Sequence, residues 1–103
     1  MYIGRYRSII AKKPIRRGDK GKHVLHLQKE LNCVVTPKLK LTGECDEETE
    51  LAIIAIQKES GLIIDRLYGL ASHKAVLELM ATCKIENKRL SYIDMVYYRN
   101  MED

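Results

Sequence analysis

The sequence predicts an all-α protein: a bundle of three helices, with an extra helix at the C-terminal end and a basic arm at the N-terminal end. Its 103 residues fit one domain. The apolar residues are mostly aliphatic, with no Phe and no Trp, and such a set suits helix packing better than a β-sandwich. Apolar residues recur at spacings of three and four, and no alternating strand pattern of useful length is present.

The basic arm precedes the three predicted core helices. Residues 5–22 carry eight Lys or Arg residues against a single acid, Asp19. The start of the chain lacks a clean helical period, and Pro14 disfavours helix just before it. The arm could still pack on the domain, because it offers apolar contacts at Tyr2, Ile3, Tyr6, Ile9 and Ile10. A segment of this kind is more often a solvated tail than a recognition element, and the net charge of +4 favours anionic partners without choosing among them. The predicted segments are the arm at 1–14, the three-helix domain at 15–82 and a helical extension at 83–103.

The first two helices have regular apolar stripes. Residues 19–31 place apolar side chains on one face at spacings of three and four. The second helix begins near Asp46, a good N-cap residue, and residues 51–56 are apolar over much of its circumference. Gly61 fits the left-handed position that closes such a helix. The connecting loop, residues 33–42, is long for a bundle, as functional loops often are.

The third and fourth helices complete the predicted fold. The third is expected over residues 70–81, with Val76 facing inward. The fourth begins at Ser91, where Ser91 and Asp94 resemble a capping box in which Asp replaces the usual Glu.

An internal repeat relates the second helix to the third. In each copy, a turn is followed by a hydroxyl residue that can satisfy a free amide of the first helical turn. Both copies therefore enter a short helix from a tight loop in the same way. The four pairs of similar residues, at a constant offset of 23 positions, are Thr49 and Ser72, Ala52 and Ala75, Ile53 and Val76, and Ile56 and Leu79.

Several blocks of the sequence resemble the peptidoglycan-binding domains that are attached to bacterial and phage wall hydrolases. Residues 15–31 look like their opening, a Gly-x-x-Gly turn followed by Val-x-x-Leu-Gln-x-x-Leu, and residues 42–49 match their middle loop. Residues 52–62 match Ala-Val-x-x-Phe-Gln-x-x-x-Gly-Leu, and residues 65–69 match an Asp-Gly-x-Val-Gly turn in which Arg66 replaces the glycine after Asp. The resemblance covers most of the chain and implies a three-helix fold with a degenerate repeat.

The resemblance and the residue types together give a candidate ligand site. Gln28 and Gln57 hold equivalent positions, and the resemblance implies that their amides line a groove for the glycan or the stem peptide. Asp65, Arg66 and Tyr68 form a turn in which the guanidinium would pair with a stem-peptide carboxylate and the phenol ring would stack on a sugar face. The alternatives are that the glutamines hold the helices to a neighbouring loop, and that Tyr68 covers the core of a structural turn.

A second candidate surface lies on the predicted C-terminal helix. Tyr92, Tyr97 and Tyr98 are of a type favoured at protein interfaces, so the helix is a candidate site for a protein partner. The alternative is that it packs on the core of its own domain.

No catalytic residue, metal site or cofactor is predicted. His23 and His26 lack a carboxylate or a cysteine at matching spacing. The three cysteines are odd in number and irregularly spaced, which indicates free thiols rather than a disulfide framework or a zinc site. Specific nucleic-acid binding is not expected because no readout motif accompanies the charge, and no segment has the length of a membrane span.

The sequence therefore predicts a non-catalytic peptidoglycan-binding module, phage-encoded or targeting a partner hydrolase, and not an enzyme. The alternative is an intracellular protein-interaction module, an adaptor or inhibitor that has reused the fold. Because no signal peptide is visible, we expect the protein to be made in the cytoplasm. It would act at the bacterial cell wall after release or export, and would otherwise stay cytoplasmic.

Overall fold

The structure, a computed structural model, describes residues 2–100 and the side chains of residues 5–98. The last three residues of the predicted C-terminal extension lie outside this range. The mostly helical architecture confirms the all-α class. The helices are α1 (Tyr2–Lys12), α2 (Lys22–Leu31), α3 (Glu47–Glu59), α4 (Leu70–Glu86) and α5 (Val96–Asn100), with two short strands, β1 (Val35–Thr36) and β2 (Leu90–Ser91), and a 3-10 turn (Ile93–Met95).

The segment predicted as a basic arm is a helix, α1, that packs on the domain. Tyr6 and Ile10, which lie one turn apart, are both 0% exposed, whereas Arg5 and Arg7 face solvent. The helix ends shortly before Pro14, as the restriction on residues that precede proline requires. The arm is therefore not a solvated tail: it packs on the domain through Tyr6 and Ile10, two of the residues whose apolar contacts the sequence offers, and α1 lies against α2 and α4.

Helix α3 is the centre of the domain, and both of its predicted ends are confirmed. Each residue from 51 to 57 is buried. At the start, Asp46 Oδ1 accepts hydrogen bonds from the Thr49 N–H at 2.9 Å and the Thr49 hydroxyl at 2.7 Å. At the end, Gly61 has a φ of 70°, and the Leu62 N–H donates to the Gln57 carbonyl at 2.9 Å. This pattern is a Schellman closure.

Two of the predicted helix starts are displaced by backbone pairing between distant segments. Helix α2 begins at Lys22 rather than near residue 19, because Lys20 pairs with Glu44 in an isolated bridge. The capping box predicted at Ser91 does not form, because Ser91 belongs to β2, which pairs in parallel with β1. The 3-10 turn then begins without a side-chain cap.

Helix α4 is longer than predicted and ends at Glu86, followed by the cap residue Asn87, whose φ of 53° is left-handed. Its buried residues all lie in its first half, between positions 72 and 76. The second half therefore extends along the surface of the domain. None of the helices within residues 2–100 combines the length and the apolar character that a membrane crossing requires.

The three cysteines are free thiols in different surroundings. Cys33 is exposed, Cys83 is half-buried, and Cys45 is 0% exposed. Burial, followed by the nearby carboxylates of Glu50 and Asp46, raises the pKa of the Cys45 thiol from 9.0 to about 12. The buried thiol is therefore held in its neutral form.

We expect Cys33 to react quickly with a maleimide near neutral pH, and Cys45 to be protected until the protein unfolds. Because the folded-state pKa of Cys45 is raised, its contribution to stability is intact below pH 9 and declines as the pH rises from 9.0 towards about 12. The slope is roughly 1.4 kcal/mol per pH unit. Urea unfolding from pH 8 to 10 checks this, with Cys45→Ala as the control. Equal alkaline losses in both proteins, or equal reactivity of Cys33 and Cys45 in the folded state, would contradict the prediction.

Candidate functional site

The first of the two predicted glutamines is buried inside a hydrogen-bond network. Gln28 is 0% exposed. Its amide oxygen accepts from the backbone N–H groups of Thr42 at 3.0 Å and Gly43 at 2.9 Å. Its amide nitrogen donates to the Glu44 carbonyl at 2.9 Å, and to the hydroxyls of Thr42 at 3.2 Å and Thr49 at 3.1 Å. We call these five residues the first amide network.

The second glutamine repeats this arrangement in the other half of the domain. Gln57 is 2% exposed, and its amide oxygen accepts from the Arg66 N–H at 3.1 Å. The amide nitrogen donates to the Leu67 carbonyl at 3.0 Å, to Asp65 Oδ1 at 2.9 Å and to the Ser72 hydroxyl at 3.3 Å. These five residues are the second amide network.

The sequence repeat is thus also a repeat of hydrogen bonds. In each network, a buried amide on one helix joins the loop that follows to the hydroxyl in the first turn of the next helix, Thr49 in one case and Ser72 in the other. These contacts correspond to the alternative role of both glutamines, which is to hold the helices to a neighbouring loop. A ligand could reach either amide only by displacing part of its network, so neither side chain is presented to a ligand in this structure.

The turn at Asp65 to Tyr68 is held by the second amide network. Arg66 has a φ of 64°, a left-handed conformation that costs a side-chain-bearing residue about 1–2 kcal/mol. This explains why the resembling domains carry glycine there. Asp65 Oδ1 also accepts from the Leu67 N–H at 3.0 Å, while its carboxylate group stays on the surface.

Tyr68 is 0% exposed, which favours the alternative that its ring covers the core over the expectation that it stacks on a sugar. Its backbone pairs with that of Ile15 through bonds of 2.8 and 3.0 Å. Burial, followed by the nearby Tyr6 and Glu30, raises the pKa of Tyr68 well above its usual value. The phenol therefore stays neutral and donates to Glu30 Oε1 at 3.1 Å.

A polar cluster that the sequence analysis missed surrounds this phenol, beneath α1. His73 Nδ1 lies 3.1 Å from Glu30 Oε1, and His26 Nε2 lies 3.3 Å from Glu30 Oε2. The Tyr6 ring packs on both imidazoles, with centroid distances of 4.3 Å to His26 and 5.3 Å to His73. The spacing of His26 and Glu30 is visible in the sequence, but His73 comes from α4. Within the described part of the chain, no group of three or more His, Cys, Asp or Glu side chains is arranged to hold a metal ion.

A surface groove of about 480 Å³ borders the second amide network. Three apolar side chains on its wall are unusually exposed for their type: Ile63 at 83%, Leu70 at 44% and Leu67 at 39%. No aromatic side chain lines it, and Asp65 supplies a carboxylate. Its lining comprises Pro14, Gln57, Gly61, Leu62, Ile63, Asp65, Leu67, Gly69, Leu70, Ala71 and Ser72.

The three tyrosines predicted as a partner surface are in different environments. Tyr92 is 2% exposed and donates to Glu48 Oε2 at 3.3 Å, so it is part of the core and not of a partner surface. Tyr98 is half-buried against the core, with Lys58 Nζ 5.8 Å from its ring centroid. Tyr97 is 67% exposed and meets the Tyr98 ring edge-on.

Comparison with known proteins identifies two related enzymes. The chain is 34% identical over 83 residues to N-acetylmuramoyl-L-alanine amidase CwlL of Bacillus licheniformis, a match that covers 76% of this chain and 23% of the amidase. It is 29% identical over 85 residues to a probable N-acetylmuramoyl-L-alanine amidase of the same organism, covering 81% of this chain and 24% of that protein.

The related region is therefore a small part of each enzyme. No family model matches the chain. No solved structure matches it either. The chain spans about a quarter of the length of the curated relatives it matches, and over some 80 residues it is homologous to a segment of cell-wall amidases.

Proposed function

We propose that this protein is a non-catalytic module that binds peptidoglycan at the bacterial cell wall. The observation that carries the proposal is the match to about a quarter of each amidase over most of this chain. The names of these enzymes specify the bond between muramic acid and L-alanine, which belongs to peptidoglycan. A segment of this size suits an accessory role, holding the polymer while another part of an enzyme cleaves it.

The groove beside the second amide network is the proposed binding site. Its exposed Ile63, Leu67 and Leu70 side chains form an aliphatic wall suited to the methyl groups of alanines in a stem peptide. The Asp65 carboxylate would pair with the side-chain ammonium of a diamino acid. Sugar rings are usually recognised by stacking on aromatic faces, and the groove lining has none. The chemistry therefore favours the stem peptide over the glycan.

The binding test uses exposed groove residues, because replacing buried Tyr68 or Gln57 would disturb the fold. Ile63→Ser with Leu70→Ser removes apolar contact area from the groove wall. The matched control is Ile85→Ser with Leu77→Ser, since these side chains are 84% and 47% exposed on the far half of α4. In co-sedimentation with purified sacculi, we expect the groove variant to bind about tenfold more weakly, because covering such side chains contributes roughly 1.5 kcal/mol or more.

The control variant should pellet like the unaltered protein, and binding should survive moderate salt. Protein that stays in the supernatant at every concentration would rule out wall binding. Equal losses of binding in the groove and control variants would show that the binding site does not lie in the groove.

The second candidate function is protein interaction, which exposed apolar side chains away from the groove favour. Leu77, Ile85, Ile93 and Tyr97 are between 47% and 84% exposed, and they lie on α4 beyond its buried residues and on the C-terminal segment. An adaptor or inhibitor would use this surface. In that case the Ile85→Ser, Leu77→Ser variant would lose a binding partner while the groove variant would keep it.

A further inference from the structure

A second cleft, separate from the groove, lies where the end of α2 meets the second half of α4. Its volume is about 580 Å³. Three cationic side chains line it and no carboxylate does. It shares no lining residue with the groove. We call it the basic cleft, and its lining comprises Asn32, Cys33, Lys38, Met80, Cys83, Lys84, Asn87 and Arg89.

Hydrogen bonds fix the backbone next to the cationic residues of the basic cleft. Asn32 donates to the Leu39 carbonyl at 3.1 Å and accepts from the Leu39 N–H at 2.7 Å, which fixes the loop that carries Lys38. On the other side, the Leu90 N–H donates to the Val34 carbonyl at 2.8 Å, which fixes the chain next to Arg89. The backbone on both sides of the cleft is thus fixed, while the Lys38, Lys84 and Arg89 side chains themselves are exposed to solvent.

The charge of the basic cleft is only partly neutralised by the rest of the described chain. Within residues 2–100, no carboxylate forms an ion pair with Lys38, Lys84 or Arg89. The C-terminal ends of α2 and α4 lie close by, and each contributes about half a negative charge. The carboxylates of Glu86 and Glu59 are close enough to act on Cys83 in the lining, and Lys88, next to the lining residue Arg89 in sequence, adds a fourth cation. These four cations outweigh the two carboxylates and the two helix ends, so the cleft keeps a small net positive charge.

We propose that the basic cleft binds phosphodiester groups of an anionic cell-wall polymer. This rests on the proposed function, because it assumes that the protein works at the wall. A ligand with a single carboxylate would need fewer than three cations. A polymer with one phosphate in each repeat can place successive phosphates against all three. Lysine and arginine are the side chains that hold phosphate most effectively. Since the cleft and the groove share no residue, both could be occupied at once, and the attachment would gain from two linked contacts.

The test compares two kinds of sacculi: intact ones that carry a phosphodiester polymer, and ones chemically stripped of it. The cleft variant is Lys38→Gln, Lys84→Gln, Arg89→Gln. The control is Lys12→Gln, Lys74→Gln, Arg7→Gln, which removes the same charges from exposed positions elsewhere. On intact sacculi we expect the cleft variant to bind about tenfold more weakly, as three modest ion pairs would give, and the control to stay within about twofold of the unaltered protein.

On stripped sacculi, all three proteins should bind alike through the groove. Equal binding of the unaltered protein to both kinds of sacculi would overturn the cleft proposal and leave the proposed function intact. Binding to intact but not to stripped sacculi would support the cleft proposal and overturn the proposed binding of peptidoglycan in the groove. The cleft proposal also fails if the control loses as much affinity as the cleft variant, since total charge would then explain the effect. It fails equally if duplex DNA at matched phosphate concentration competes as well as the purified polymer.

Discussion

Replacing Gln28 with alanine is expected to lower the free energy of unfolding by about 3–4 kcal/mol, because the first amide network loses its centre. The change leaves the Gly43 N–H without its partner and opens a cavity in the core. It also takes one partner from the Thr42 N–H and from the Glu44 carbonyl, which keep bonds to Lys40 and Asp46. Each buried polar group left unsatisfied costs about 1–3 kcal/mol, although water entering beside the exposed loop will recover part of this. Urea unfolding followed by circular dichroism measures the difference.

Two further variants make the Gln28 prediction specific. Lys29→Ala, at the exposed neighbouring position, should change stability by less than about 0.5 kcal/mol. Gln28→Glu keeps the side-chain shape but removes the amide donor that serves the Glu44 carbonyl, and it should also be strongly destabilising at neutral pH. A loss below about 1 kcal/mol in Gln28→Ala would mean that the network does not hold the loop to the helices.

Replacing Glu30 with alanine should be similarly damaging, at about 2–4 kcal/mol. The carboxylate accepts from Tyr68 at 3.1 Å and lies 3.1 Å from His73 and 3.3 Å from His26. Its side chain is 10% exposed, so water cannot easily replace it. Removing one member of a buried charged cluster commonly costs more than a surface pair contributes, because its partners stay buried without it. Urea unfolding again gives the magnitude.

The Glu30 prediction also has a local readout. Because Tyr6 packs on His26 and His73, loosening the cluster should increase amide hydrogen exchange in α1 before the rest of the domain responds. Glu78→Ala, an exposed position on α4, is the matched control and should leave exchange unchanged. Unaltered protection of α1 in Glu30→Ala would show that the helix is held by Tyr6 and Ile10 packing alone.

The helices predicted correctly are those whose stabilising contacts are close in sequence. Asp46 caps the start of α3 by accepting from Thr49, and Gly61 and Leu62 form the turn that ends it. Both ends can therefore be recognised from a few neighbouring residues. Helix α1 and the β1–β2 pair could not be found in this way. Their stabilising contacts come from segments far along the chain, so the apolar residues within α1 could not by themselves show that this face would be buried.

The sequence predicted which residue types form the candidate site. It did not predict whether their side chains face a ligand or the interior of the domain. A glutamine offers the same donors and acceptor to a ligand as to a loop, so sequence alone cannot separate the two roles of Gln28 and Gln57. Tyr68 has the same ambiguity, since a phenol can cover a core or face a sugar. Burial resolves it for all three, and burial depends on how the loops fold back. The exposed groove wall at Ile63 and Leu70 could not be recognised from the sequence, because isolated exposed apolar residues are common in proteins.

The position of α1 determines where this domain can be divided or joined to another protein. A shortened chain that starts at residue 15, where the family resemblance begins, would lack Tyr6 and Ile10. It would also open the imidazoles of His26 and His73 to solvent. The smallest autonomous unit is therefore larger than the recognisable motif, and a fusion to the front of the chain should join before α1 and leave that helix whole.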